Sequence, residues 1–233
     1  MSSKTTCDLS TCLFCQACMP AWKELTALKK QTLTFKKGEQ LFTEGEPVHA
    51  MFFTLSGAVK VHKQQADQRE LIIRLATGGD VIGIRGFGEN IFRVSATALE
   101  PTTVCCIPYD HLQTSLMTNP TLSYRLMQLY ATELQRAEQR MSDLAHLDVK
   151  GKVAASLLTL KNTFGVNENG FINISISRQD IASYAGTIYE TVFRIFTEWI
   201  NAGILETAGK HLRILDEHRL SALGIAGNGR MKT

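Results

Sequence analysis

The sequence predicts an α+β protein in which a β-roll of jelly-roll type is followed by one long helix and a winged helix-turn-helix. Short alternating runs between about Thr32 and Pro108, broken by glycines, are typical of many short antiparallel strands. After Asn119 the pattern changes to a heptad repeat, which predicts a long helix. Near the carboxyl end, two helical stretches flank Gly186, and two strand-like runs follow them.

These changes of pattern divide the chain into four parts. Residues 1–20 form a cysteine-rich arm, 21–118 the β-roll, 119–147 the long helix and 148–233 the winged helix-turn-helix. With 233 residues, of which 44% are hydrophobic, the chain is long enough for two modest domains with a sizeable core.

Charge and composition narrow the function classes. The net charge is only +3, so affinity for DNA has to come from a local basic face. The sequence has no signal peptide and no apolar run long enough to cross a membrane, which predicts a cytoplasmic protein. In that reducing compartment we expect the 6 cysteines to be metal ligands or redox sensors rather than disulfides. We see no Ser/His/Asp set, P-loop or paired carboxylates, and we therefore expect no enzyme.

The most specific motif runs from Ser177 to Arg194. Ser177 can cap a first helix, and Gly186 stands where a tight turn needs a residue without a Cβ atom. Glu190 and Arg194 lie four residues apart in the second helix. From one major groove, Glu190 can accept a hydrogen bond from cytosine N4, and the forked guanidinium of Arg194 can donate to guanine O6 and N7. On an arbitrary helix this would be an ordinary surface ion pair, but the cap and the turn favour DNA reading. The candidate DNA contacts are Ser177, Arg178, Thr187, Tyr189, Glu190, Phe193 and Arg194.

The long helix carries a seam for a two-stranded coiled coil. Apolar residues recur at spacings of three and four, which is the heptad pattern of a dimer interface. The alternative is a helix packed on its own β-domain. No seam residue is charged, and Glu133 and Glu138 are expected to pair with Arg136 or Arg140 on the rim. We therefore expect a homodimer even without a cofactor. The seam residues are Met127, Tyr130, Leu134, Ala137, Met141 and Leu144.

The arm cysteines have the spacing of metal ligands. Two residues separate Cys12 from Cys15 and Cys15 from Cys18, which lets successive thiolates face one metal centre. Three arm thiolates and one from the β-roll would complete a four-cysteine iron–sulfur site, whereas zinc held by four arm cysteines and surface thiols without metal remain alternatives. Cys105 and Cys106 should point to opposite faces of one strand, so only one of them can face the arm.

The order of the parts and several motifs resemble the CRP/FNR family of bacterial transcription regulators over nearly the whole chain. The stretches Lys37–Glu46 and Phe53–Lys60 resemble the family's first strands, and Asp180–Ala182 with Glu190–Arg194 matches its reading head. The resemblance implies a cyclic-nucleotide-binding-like β-roll, a sequence-specific homodimer on an inverted-repeat DNA site, and RNA polymerase as a partner.

The segment Ala98–Pro108 points to the FNR-like subgroup, in which such a segment carries a cluster-ligating cysteine at the position of Cys105. This likeness implies a [4Fe-4S] cluster that senses oxygen, nitric oxide or redox state. Its ligands would be Cys12, Cys15, Cys18 and Cys105, with Cys7 as an alternate because the arm spacing departs from the subgroup's pattern. Cys106 would then be a small core residue or a reactive thiol.

Two further departures bear on function. Cyclic-nucleotide members carry a Gly-Glu pair where this chain has Gly83-Ile84-Arg85, and the displaced Gly88-Glu89 with Arg93 lacks the following hydroxyl, so we do not expect a cyclic nucleotide. FNR-like members have serine at the position of Phe193, whose ring can pack on a thymine methyl group or, alternatively, between the recognition helix and the wing.

A haem or small-molecule sensor of the same fold, and an iron–sulfur electron carrier, are the competing functions.

Overall fold

The computed structural model describes residues 12–65, 69–86 and 88–225. The alternate ligand Cys7 lies outside them. The chain forms two compact units: the first runs to Lys63 and continues over Ile73–Gln135, and the second comprises Gln64–Ile72 and the residues from Arg136 onward. None of the described helices is both long and apolar enough to span a bilayer.

The β-roll consists of two four-stranded sheets, with strand orders β1-β8-β3-β6 and β2-β7-β4-β5. The paired strands of the first sheet are antiparallel. This confirms the expected α+β class. The strands are β1 (Gln31–Phe35), β2 (Gln40–Phe42), β3 (Ala50–Ser56), β4 (Ala58–Gln64), β5 (Glu70–Thr77), β6 (Val81–Ile82), β7 (Ser95–Ala98) and β8 (Thr102–Pro108).

Four helices accompany the β-roll. The short α1 (Leu13–Ala17) and α2 (Pro20–Lys29) precede it, and α3 (Tyr109–Thr118) and α4 (Pro120–His146) follow. The heptad pattern predicted α4, whereas α2 and α3 lie in the part of the sequence that was expected to be a β-roll.

Strand alternation gives the β-roll two separate apolar cores. Successive side chains of a strand point to opposite faces of the sheet. Met51 and Phe53 of β3 therefore pack with the helices in one core. Between them, Phe52 packs into the other core, between the sheets. The same alternation in β8 sends Cys105 to the first core and Cys106 to the second.

The turn between β3 and β4 requires glycine. Gly57 has φ +93°, and a Cβ atom there would lie 2.5 Å from Thr102 Oγ1 and 2.6 Å from the Pro101 carbonyl oxygen. A Cβ atom does not make contacts this short, so only glycine lets the two strands turn against β8.

The second unit contains the helix-turn-helix and the wing. The wing strands pair antiparallel, with His211 opposite Ala208, which confirms the expected hairpin. The elements are α5 (Val149–Phe164), α6 (Arg178–Ala185), α7 (Tyr189–Asn201), β9 (Leu205–Ala208), β10 (His211–Ile214) and α8 (Glu217–Ile225). Helix α8 was not foreseen from the sequence.

Candidate DNA-reading head and cysteine site

The reading head is built by local rules. The Ser177 hydroxyl accepts a hydrogen bond from the Asp180 amide at 3.0 Å and donates one to its carboxylate, which caps α6. Gly186 closes the helix in the left-handed conformation, with φ 65° and ψ 38°. The Thr187 amide then donates to the Ala182 carbonyl at 3.0 Å, which fixes the turn before α7 begins.

Helix α7 separates its buried face from its reading face. Val192, Ile195, Phe196 and Trp199 are buried beneath the helix. Glu190 and Arg194 are exposed on the other side, one turn apart, and Tyr189 and Phe193 are exposed beside them. The arrangement presents an acceptor, a forked donor and two aromatic rings on one surface, which suits the edges of base pairs in a major groove.

Arg178 has a contact that sequence reasoning missed. Its guanidinium carbon lies 5.4 Å from the centroid of the Phe193 ring and 5.7 Å from that of Phe196. The Tyr189 and Phe193 rings stack at 6.3 Å with an interplanar angle of 28°. Arg178, expected to meet a phosphate, therefore also holds the aromatic side chains of the next helix.

The wing is fixed by one arginine. Arg213 forms an ion pair with Glu206 across the hairpin and donates to the Asn169 carbonyl at 3.1 Å. Its guanidinium carbon also lies 5.2 Å from the Phe171 ring centroid. These contacts hold β10 against the loop that follows α5, and the exposed Lys210 stands at the tip of the hairpin.

The arm cysteines and one β-roll cysteine belong to the same apolar core. Cys12 and Cys18 flank helix α1, and Cys15 lies within it. These three and Cys105 are 1–7% exposed and belong to one apolar core. The described cysteines form no disulfide. Cys106 packs in the other core, and burial raises the pKa of its thiol to about 11.

Cys18 has polar neighbours that no sequence motif predicted. Its sulfur lies 4.0 Å from the Thr26 hydroxyl, which in turn lies 2.9 Å from Nε2 of His111. Burial raises the pKa of the Cys18 thiol and lowers the pKa of His111. Thr26 and His111 are themselves buried, so this short chain of polar groups crosses the core beside the arm.

Asn119 ties the arm to the start of α4. Its amide Nδ2 donates to the Ala17 carbonyl at 2.9 Å, next to Cys18 in the chain. Its Oδ1 accepts a hydrogen bond from the Leu122 amide at 3.1 Å, in the first turn of α4. The side chain is 1% exposed, so both bonds are made within the core.

The four buried thiols are ligands of the kind that an iron–sulfur cluster uses, but the described residues are not arranged as a metal site. Among the described residues, no three or more His, Cys, Asp or Glu side chains could hold one metal ion. A four-iron cluster takes one thiolate at each iron, so its cysteines surround a larger body rather than converge on one point. Cys12, Cys15, Cys18 and Cys105 come from two distant segments and share one buried core.

The cavity inside the β-roll is small and contains charged groups. It holds about 20 Å³, and Arg74 and Glu133 are part of its lining. The Arg74 guanidinium pairs with Glu133 at 2.8 Å and Asp80 at 3.1 Å and donates to the Val81 carbonyl at 2.6 Å. Room of this size suits one water molecule. Glu133, which was expected on the rim of the seam, instead faces inward and pairs with Arg74.

The seam residues of α4 divide between two environments. Met127, Leu134, Ala137 and Met141 are exposed. Tyr130 is half-buried, with its hydroxyl donating to the Ile84 carbonyl at 2.6 Å, and Leu144 is also half-buried. Glu138 is exposed and falls between Leu134 and Met141 on one face, since residues three and four apart are neighbours on a helix. An acid therefore shares the exposed apolar face.

Arg140 also differs from the expectation of a rim ion pair. Its guanidinium donates to the Ile72 carbonyl at 2.9 Å and to the Tyr184 carbonyl, and it lies 3.8 Å from the Tyr184 ring centroid. Tyr184 belongs to α6, so within the second unit this arginine fastens α4 to the helix-turn-helix.

Comparison with known proteins gives matches over both parts of the chain. Residues 32–119 match the model of the cyclic nucleotide-binding domain, and residues 151–223 match that of the Crp-like helix-turn-helix domain. The "Transcriptional activator protein FnrA" of Stutzerimonas stutzeri is 33% identical over 93% of this chain and 90% of its own length. The "Electron transport regulator A" of Shewanella oneidensis is 32% identical over 84% of this chain and 78% of its own. Among solved structures, FixK2 from Bradyrhizobium japonicum has a TM-score of 0.75 and 27% identity, covering 83% of this chain and 96% of that one.

Proposed function

Since this chain belongs to the CRP/FNR family of DNA-binding transcription regulators, we propose that it reads an inverted-repeat site as a homodimer and senses oxygen, nitric oxide or redox state through an iron–sulfur cluster. It is a regulator and not an enzyme. The observation that carries the sensing part is the burial of Cys12, Cys15, Cys18 and Cys105 in one core. The names of the relatives, a transcriptional activator FnrA and an electron transport regulator, support a redox signal.

For DNA reading, Glu190 and Arg194 meet one G·C pair in each half-site. Ser177, Arg178 and Thr187, at the helix starts, lie near phosphates, where backbone amides and hydroxyls serve as donors. Because the dimer has two-fold symmetry, the two half-sites are inverted and lie one helical turn apart. RNA polymerase is the partner at the bound promoter.

Arg194→Ala tests the reading head. Loss of one forked contact should cost about 1–3 kcal/mol of specific binding and relax selectivity at one base pair per half-site. Fluorescence anisotropy with specific and random duplexes over a salt series measures both terms. Arg125→Ala, which removes the same charge from an exposed position on α4, is the matched control. Equal binding of specific DNA by the Arg194→Ala protein and the unchanged protein would refute the assignment.

For sensing, the four thiolates would hold the cluster, and the bound cluster would supply the iron that reacts with oxygen or nitric oxide. The protein's own part is to bring an arm and a strand together and to exclude water around them. Cys12, Cys15 and Cys18 come from the arm, and Cys105 comes from β8, so the site forms only when the arm is packed on the β-roll.

Iron and acid-labile sulfide, measured after purification without oxygen, test the cluster. Cys105→Ser should lose most of the iron, because a hydroxyl is a poor substitute for a thiolate. Cys106→Ser is the matched control. The Cys106 side chain lies in the other core, so this variant should keep the iron. Full iron loading in Cys105→Ser would show that the arm ligates alone with Cys7. A colourless protein with stoichiometric zinc would overturn the cluster, and a Soret band would indicate haem instead.

The homodimer is proposed to form along the exposed face of α4. Met127, Leu134 and Met141 lie on this face, and a heptad-spaced stripe of this kind suits a partner helix. The acid Glu138 lies on it as well, so like charges meet across the two-fold axis and weaken the pairing. Sedimentation of metal-free protein at micromolar concentration decides between a constant dimer, as the sequence suggests, and a monomer. Glu138→Ala should strengthen the dimer in either case.

A further inference from the structure

The reading face of α7 has an apolar centre. Tyr189 and Phe193 are 41% and 48% exposed, and Ile188 beside them is 45% exposed. Phosphates and most base edges are polar, so this patch does not suit them. The C5-methyl group of thymine is the one apolar group that the four standard bases present in the major groove. We propose that the Tyr189–Phe193 pair reads a thymine methyl group in each half-site, an inference that rests on α7 being the DNA-reading helix.

The geometry holds the Phe193 ring in place before DNA arrives. The Tyr189 ring stacks beside it at 6.3 Å, and the Arg178 guanidinium carbon lies 5.4 Å from its centroid. Arg178 lies equally close to the ring of Phe196, which is 1% exposed and belongs to the core. The exposed Phe193 ring is thus linked through the Arg178 cation to a buried ring. A ring fixed in this way loses little rotamer freedom on binding.

The position of the methyl group along the site follows from helix geometry. Phe193 is three residues after Glu190, so the two side chains are neighbours on the exposed side of α7. The thymine should therefore lie next to the G·C pair. The phenyl ring has no hydrogen-bonding group, so it contributes discrimination only through contact with the methyl carbon.

Arg178 takes a second role in methyl reading. A phosphate contact would weaken binding to every sequence alike when it is removed. A positioning residue for Phe193 would instead change the response to the methyl group. Arg178 can serve both roles, because its guanidinium stacks on rings with its face and still has N–H donors at its edge.

The experiment removes the methyl group alone. The full-length protein first selects duplexes from a randomised inverted-repeat library, and each thymine of a selected duplex is then replaced by deoxyuridine, one symmetric pair at a time. Burial of one methylene-sized group is worth about fourfold in affinity, so removal of two symmetric methyl groups should weaken binding by about tenfold or more at one position beside the G·C pair. All other positions should change little.

The variants distinguish methyl reading from a general loss of binding. Phe193→Ala should bind thymine and deoxyuridine duplexes equally, and Arg178→Lys should reduce the ratio between them. Ile200→Ala, a truncation of an exposed apolar residue farther along α7, should keep the full ratio. Specific binding that depends on Arg194 but responds to no deoxyuridine substitution would overturn this inference alone. Failure to select any sequence would instead overturn the proposed DNA reading.

Discussion

The reading head and the cysteine site reach their geometry by opposite routes. The reading head uses two consecutive helices, and its cap, its glycine turn and its exposed face are all set by neighbours in sequence. The cysteine site joins an arm helix to strand β8, two segments separated by most of the β-roll. Local motifs therefore fix the first site, whereas the second exists only after long-range packing has placed its parts.

Phe14→Ala should show the larger effect of long-range packing. The Phe14 ring is fully buried and meets Phe53 edge-to-face at 5.7 Å. Truncation of a buried phenylalanine lowers the free energy of unfolding by about 3–5 kcal/mol. We expect this loss even though Phe14 lies in a helix of only five residues. The chain has 2 tryptophans, so urea unfolding followed by Trp22 fluorescence in a Trp199→Phe background reports on the first unit.

Two controls accompany this measurement. Leu28→Ala changes an exposed side chain of α2 and should alter stability by no more than about 0.5 kcal/mol. Trp199 fluorescence in a Trp22→Phe background should show the second unit unchanged by Phe14→Ala. A loss below about 1 kcal/mol for Phe14→Ala would mean that the arm is not part of the core.

Gly186→Ala should show the smaller effect of a local rule. A left-handed backbone costs an alanine about 1–2 kcal/mol, and the new Cβ atom would lie 3.1 Å from Leu144 Cδ2. Gly209→Ala is a matched control, because Gly209 has φ +63° and nothing within 4 Å of the Cβ position. Trp199 fluorescence in urea should give the greater loss for Gly186→Ala. Equal losses would show that Leu144 yields without cost.

The pH dependence of the first unit should show the smallest effect. Burial lowers the pKa of His111, so below the ordinary histidine pKa of about 6.5 the unfolded chain takes up the proton first. The stability contribution is complete above that pH and is lost as the pH falls through the folded-state pKa. His111→Gln, which can keep a hydrogen bond to Thr26, should flatten the acid side of a plot of urea midpoint against pH.

The exposed His146 provides the control for this prediction. His146→Gln should leave the acid slope as it is in the unchanged protein. A slope that survives in His111→Gln would assign it to other groups.

The sequence predicted the elements of the reading head well because their determinants are adjacent. Ser177, Gly186 and the apolar spacing of α7 each act within one or two helical turns, and the structure places all of them as expected. The fold class and the opposite orientation of Cys105 and Cys106 were also predictable, since strand alternation needs no knowledge of the partner strand.

The parts that escaped prediction depend on contacts between distant segments. The sequence around Glu133 does not show that its carboxylate pairs with Arg74 of β5. That pairing turns Glu133 away from the rim of the seam and buries it. Likewise, His111 and Thr26 meet only after α2 and α3 have packed together. The predicted seam includes Tyr130 and Leu144, which are half-buried in the structure. Apolar spacing alone does not say which face of α4 packs against its own chain.

Asn119 connects the cysteine arm to the start of α4. Its one side chain holds both the end of α1, beside Cys18, and the first turn of a helix of 27 residues, which is about 40 Å long. One buried amide therefore links the position of the Cys18 backbone to the direction in which α4 starts, within the first unit.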